Sequence, residues 1–93
     1  MYVVIFKATI VEFDDEYVQL AGHLRDLALS KYGCQEFSAV TEGNVEIAIS
    51  YWQTLEQIHA WKNDPEHRVA QKKGREKWYK SYSVEVCEIV RSR

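Results

Sequence analysis

Residues 34–52 read CQEFSAVTEGNVEIAISYW, and this stretch decides the fold. Cys34 to Thr41 alternates enough for a strand, Glu42, Gly43 and Asn44 form a turn, and Val45 to Trp52 returns as a second strand. A hairpin is predicted, and the rest of the chain must be arranged around it. Upstream, Gly33 ends a helix in which Tyr17, Leu20, Ala21, Leu24, Leu27 and Ala28 recur at spacings of three and four, with Asp14 or Asp15 as its cap. Before that helix, Tyr2 to Val11 (YVVIFKATIV) reads as a strand apolar on both faces, with Lys7 and Thr9 its only polar members apart from the Tyr2 hydroxyl. Downstream, Thr54 caps a short helix with Glu56 and Gln57 in its first turn and Leu55, Ile58 and Trp61 along one side. Asp64 and Pro65 stop that helix and start another that runs to about Trp78, because Pro fits a first helical position and disfavours helix at the residue before it. A final strand alternates from Tyr82 to Val90.

Strand, helix, strand, strand, two short helices, strand is the order of an α+β, ferredoxin-like split βαβ unit, with an antiparallel sheet covered by helices on one face. The 93 residues fit one domain, 1–93. Such a sheet sets the second and fourth strands at opposite edges, ~14 Å apart, which keeps Cys34 and Cys87 from bonding within one subunit. Helices cover one face only, yet the first strand is apolar on both, and Val45, Ile47, Ile49 and Tyr51 back onto Ala48 and Trp52 in the third. A second copy of the sheet is the simplest cover for the other face, which predicts a homodimer and a dimeric α/β barrel.

Composition narrows the function. A net charge of −2 offers no general attraction to phosphate backbones, so nucleic acid is a poor partner. The basic cluster of Lys72, Lys73, Arg75, Lys77 and Lys80 reads as the solvated side of a helix. No 18-residue apolar run, signal peptide or lipidation motif is present, which predicts a cytoplasmic protein away from membranes. The cysteines lack CxxC spacing, and His59 and His67 lack i,i+4 pairing despite Asp64 and Glu66 nearby, so no metal is expected. GxSxG, HExxH, P-loop and GxGxxG motifs are absent.

The chemistry concentrates in residues 50–82, which hold all three Trp, two of the three His and three of the six Tyr. On the second of the two short helices, His67, Ala70 or Gln71, Gly74 and Trp78 form one stripe. That stripe carries His, Gln and Gly where a helix used only for packing would carry Leu or Ile. Two readings stand. In one, Trp61 and Trp78 fill the core, Gly74 permits close packing on the sheet, and His67 bonds a carbonyl. In the other, the stripe lines a pocket between helices and sheet, an aromatic cavity with a few polar groups.

The pattern SYWQTLEQIHAWKNDPEH, residues 50–67, after a hairpin and before a last strand, resembles the antibiotic biosynthesis monooxygenase family of dimeric α+β barrels. Members are similar in having a Trp at the end of the third strand, matched by Trp52, then a short helix and a Pro-His pair opening the next. Here that pair is spread over Pro65, Glu66 and His67, a departure of one residue. Many members have His where Trp61 stands, so that assignment does not transfer. The haem-degrading members resemble this chain at Trp61, but their proximal His would fall at Gln71 and their first-strand Asn near Lys7, which argues against haem degradation and leaves haem binding, through His67 about one turn before Gln71, as a lesser alternative.

The resemblance implies oxidation of a small aromatic or hydroquinone-type substrate by O₂ without metal, flavin or haem. It assigns the base to His67, with His59 second, because an unperturbed His titrates near neutrality. Trp52, Trp61 and Trp78 would wall the cavity, and Gln71 and Tyr51 would offer hydrogen bonds. The alternative from another class is a binding or stress-response dimer that uses the same cavity without turnover.

Overall fold

The computed structural model describes residues 1–93. Its elements run β1 (Tyr2–Ile10), α1 (Asp15–Ser30), β2 (Glu36–Glu42), β3 (Val45–Trp52), α2 (Leu55–Lys62), α3 (Pro65–Lys73), a π-helical turn (Gly74–Trp78) and β4 (Tyr79–Glu88). The four strands form one antiparallel sheet in the order β2-β3-β1-β4, which is the ferredoxin-like arrangement. Cys34 and Cys87 lie toward opposite edges of it, and both are free thiols.

Local chemistry accounts for most boundaries. Asp14 is the residue that caps α1, its side chain accepting from the Tyr17 backbone N–H at 2.8 Å. Gly33 adopts φ +84°, a left-handed conformation that a side chain disfavours, and lets the Cys34 N–H return to the Ala28 carbonyl at 2.9 Å. That bond holds Cys34 to the helix end, so β2 begins at Glu36, two residues after the predicted start. Glu42 pairs with Val45, leaving Gly43 and Asn44 as a two-residue loop, with Gly43 at φ +61° supplying the first position of the hairpin turn. Thr54 and Gln57 form a reciprocal capping box at the start of α2.

The last third departs from the prediction. A single helix from Pro65 to Trp78 was expected from the stripe, but α3 ends at Lys73 and five residues of wider π geometry follow. This brings Tyr79 into the sheet opposite Ile10, so β4 starts at Tyr79 rather than Tyr82 and ends at Glu88 rather than Val90. A register shift between Thr9 and Ile10 marks the join.

Strand register sorts the side chains by face. Val4, Phe6, Ala8 and Ile10 of β1 share the helix-facing side with Glu46, Ala48, Ser50 and Trp52 of β3. The core there divides in two. One cluster holds Val4, Ala28, Cys34, Trp52, Ile58 and Trp61, and the other holds Ala8, Ile10, Tyr17 and Trp78. Val3, Ile5, Val45, Ile47, Ile49 and Tyr51 occupy the opposite face, each partly exposed and outside both clusters. No helix of the chain is long and apolar enough to cross a membrane.

Candidate active site

Between the two clusters the sheet is floored by small side chains. Register places Thr41, Glu46, Ala8 and Tyr82 in one row across the sheet, Ala39, Ala48, Phe6 and Val84 in the next, and Phe37, Ser50, Val4 and Val86 in a third. Ala39, Ala48 and Ser50 cannot fill the space under the helices. Above them α1 presents Tyr17, Leu20, Ala21 and Leu24 at helical spacing, while α3 and the π turn present His67, Ala70, Gln71 and Trp78. The result is a cavity of about 1010 Å³, mostly apolar, with Arg25, Lys62 and Arg75 among its lining residues.

One end is built around His67. Asp64 caps α3 by accepting from the Glu66 N–H at 2.8 Å, and the Tyr32 hydroxyl donates to the same carboxylate at 2.5 Å. The start of α3 is thereby tied to the end of α1. The Tyr32 hydroxyl is also the main reason the Asp64 carboxyl is held below the usual carboxylate range. His67 follows in the first turn, and its ring meets that of Trp61 edge to face at 4.4 Å between centroids. Trp61 is itself fixed, its Nε1–H donating to the Leu24 carbonyl at 3.1 Å and its ring lying 5.3 Å from Trp52 and 6.1 Å from Phe37. His67 Nδ1 is buried and has no hydrogen-bond partner within the chain. Burial lowers the His67 pKa below its ordinary 6.5, outweighing an opposing effect of its own backbone, while the charge of Lys62 adds to the lowering and that of Asp64 opposes it more weakly. The ring is therefore a neutral imidazole at pH 7.

The other end is built around Glu46. Its carboxylate accepts from the Tyr17 hydroxyl at 2.6 Å, and burial together with this bond raises the phenol pKa well above its usual value. Tyr79 stands close by, pushed up to about 12 by burial first and then by the charge of Glu46. Glu46 and Ser50 are four residues apart on β3, so the two ends of the cavity are separated by ~13 Å of strand.

The residues singled out from sequence are distributed unevenly. His67, Trp61, Gln71 and Trp78 all line the cavity. His59 does not: it is exposed on α2 and absent from the lining, because Ile58 and Trp61 form the buried face of that helix and His59 lies off it. Tyr51 lies on the opposite face of the sheet, since it pairs with Val3 and alternates with Ser50. Trp52 faces the helices but is 0% exposed, covered by Trp61, with its Nε1–H donating to Ser50 Oγ at 2.8 Å. It supports the wall without forming it. No group of three His, Cys, Asp or Glu side chains converges as a metal-binding set. Sequence reasoning missed Glu46 and Tyr17. The signal available was the run Glu46, Ala48, Ser50, too small and polar for a packed sheet face and interleaved with Val45, Ile47 and Ile49.

No family model matches the sequence. The Bacillus subtilis (strain 168) protein YqjZ, itself uncharacterized, is 36% identical over 93 residues, which cover 99% of this chain and 82% of YqjZ. Among solved structures, SnoaB of Streptomyces nogalater, a cofactor-independent oxygenase, superposes with a TM-score of 0.80 over 98% of this chain and 94% of its own at 10% identity. A candidate antibiotic biosynthesis monooxygenase of Nitrosomonas europaea gives 0.79 over 98% and 100% at 11% identity. Rv0793 of Mycobacterium tuberculosis gives 0.80 over 98% and 96% at 10% identity. The chain thus belongs to one family with YqjZ, and its fold is the antibiotic biosynthesis monooxygenase fold that the resemblance of residues 50–67 implied.

Proposed function

We propose that the protein is a cofactor-independent monooxygenase that oxidises a small aromatic or hydroquinone-type substrate with O₂ in the cavity between helices and sheet. The observation that carries this reading is the His67 imidazole, packed against Trp61 with an unpartnered Nδ1 at the edge of a mostly apolar cavity. An electron-rich phenol can reduce O₂ without a cofactor once it is an anion. The protein must then supply a base, a dry wall and hydrogen-bond donors. The neutral imidazole of His67 takes the phenolic proton. The anion adds O₂ at a C–H carbon of its ring system to give a hydroperoxide. Loss of the remaining hydrogen on that carbon with cleavage of the O–O bond leaves a carbonyl there and releases water, so the substrate supplies all four electrons, one oxygen atom ends in the quinone product and the other in water. Trp61 and Trp78 exclude bulk water, and Gln71, one turn beyond His67, donates to the developing oxygen anion. The fold shared with SnoaB supports the reaction type.

The proposal includes a homodimer formed by the sheet face that bears Val3, Ile5, Ile47, Ile49 and Tyr51, which no helix of the chain covers. Oxygen uptake with a panel of hydroquinones and anthrones tests the activity. Wild-type uptake is expected to exceed the buffer rate and to fall at least ~10²-fold in His67→Ala, the low end for loss of a general base. Wild-type uptake no faster than buffer transfers the cavity to a non-catalytic binding role.

A further inference from the structure

Glu46 has no use in the chemistry assigned to His67, and its surroundings are unusual for a carboxylate. It takes part in none of the chain's ion pairs. Tyr17 provides its one neutral donor, bonded to Oε2. Around it stand aromatic rings in mutual contact: Tyr17 and Trp78 at 5.1 Å between centroids, Phe6 and Tyr79 at 5.5 Å, and Tyr79 and Tyr82 at 5.5 Å. In the sheet, Ala8 separates Glu46 from Tyr82 in the same row, and it is buried in the cluster that holds Tyr17 and Trp78. All six of these side chains other than Ala8 line the cavity.

A carboxylate in an apolar setting is normally neutralised by a cation, and aromatic faces attract organic cations within ~6 Å of the ring centroid. Both requirements of such a ligand are met here, and Arg25, Lys62 and Arg75 line the cavity without forming an ion pair with Glu46. We propose that the Glu46 end of the cavity is a subsite for a protonated amine or other organic ammonium group, held by the Glu46 carboxylate and the faces of Tyr79 and Tyr82. Tyr79 keeps its hydroxyl proton through the neutral range, so the cage contributes ring faces and no second negative charge. The inference rests on the cavity assigned to the proposed function and not on turnover within it.

Binding of protonated 2-phenylethylamine and of neutral 2-phenylethanol, followed by tryptophan fluorescence with NMR confirmation at fixed ionic strength, tests the subsite. The amine is expected to bind about 10- to 100-fold more tightly than the alcohol, the range of a charge-assisted hydrogen bond with a cation–π contact. Glu46→Gln keeps shape and is expected to erase that preference. Tyr17→Phe keeps the carboxylate and is expected to retain the preference. Equal affinity for amine and alcohol in the wild type, a preference that survives Glu46→Gln, or no binding of either at millimolar concentration overturns the proposal. If Glu46→Gln fails to fold, the wild-type comparison decides alone. Oxygen uptake is measured separately, so an inactive protein that binds the amine refutes the oxygenase and leaves the subsite standing.

Discussion

Replacing Gly74 by Ala tests how the π turn is packed. The residue is helical, with φ −58° and ψ −50°, so Ala is conformationally acceptable there and would gain ~1 kcal/mol in helix propensity. Packing opposes this. A Cβ on Gly74 would lie 2.2 Å from Tyr79 Cε2 and 2.8 Å from its Cδ2 and Cζ. Carbon atoms rest at ~3.5–4.0 Å, so the ring must retreat by more than ~1 Å. It is not free to do so, because the Tyr79 N–H bonds the Gly74 carbonyl and the ring lies 5.5 Å from both Phe6 and Tyr82. Overpacking costs ~1–3 kcal/mol, a 2.2 Å approach belongs to the upper part of that range, ~2–3 kcal/mol, and subtracting the propensity gain leaves a net loss of ~1–2 kcal/mol. For a chain of this size that lowers Tm by ~4–16 °C. Thermal unfolding followed by circular dichroism reads the shift directly. The informative comparison is the same substitution in a Tyr79→Ala background, where the ring is gone and only the propensity remains. There Gly74→Ala is expected to stabilise by ~1 kcal/mol, reversing sign. Equal effects in both backgrounds, or an unchanged wild-type Tm, would refute the account of Gly74 as space for the Tyr79 ring.

Two further outcomes follow from the same geometry. Burial depresses the His67 pKa in the folded chain below 6.5, so between that value and the folded pKa the unfolded state binds a proton that the folded state does not. Stability is therefore expected to fall as pH drops from 7.5 to 5, and His67→Gln to flatten that slope in urea titrations. An equal slope in both proteins counts against a buried neutral imidazole. On the opposite face of the sheet, Ile49→Glu places a charge beside Ile5 in the surface assigned to the partner copy. Sedimentation is expected to show a dimer for the wild type at micromolar concentration and a folded monomer for the variant; a monomeric wild type removes the dimer.

Much of the fold was legible because its signals are local. Asp14, Gly33, Gly43, Thr54 and Pro65 each act on the backbone within a few residues, and they delimit elements whose order restricts the topology to the ferredoxin-like arrangement. The end of α3 was not legible. A stripe through His67, Gln71 and Trp78 looks the same whether the last turn is α or π, and the widening accompanies a ring from the next strand packed against Gly74.

The sequence alone determined that a hairpin, a split βαβ order and a His-bearing aromatic stripe exist, since periodicity and capping are properties of neighbouring residues. It left open which side of each strand meets the helices. In β3 one set is Val45, Ile47, Ile49 and Tyr51, and the other is Glu46, Ala48, Ser50 and Trp52. Sequence reading set both Tyr51 and Trp52 at the cavity, one from each set, yet pairing with β1 places Tyr51 and its set on the far face. Tertiary structure decided this because Val4, Ala8 and Trp52 share the side that packs on α1, α2 and the π turn, and strand alternation then carries Glu46 and Ser50 inward with them. The small floor and the Glu46 carboxylate of the cavity follow from that phase, which no window of sequence contains.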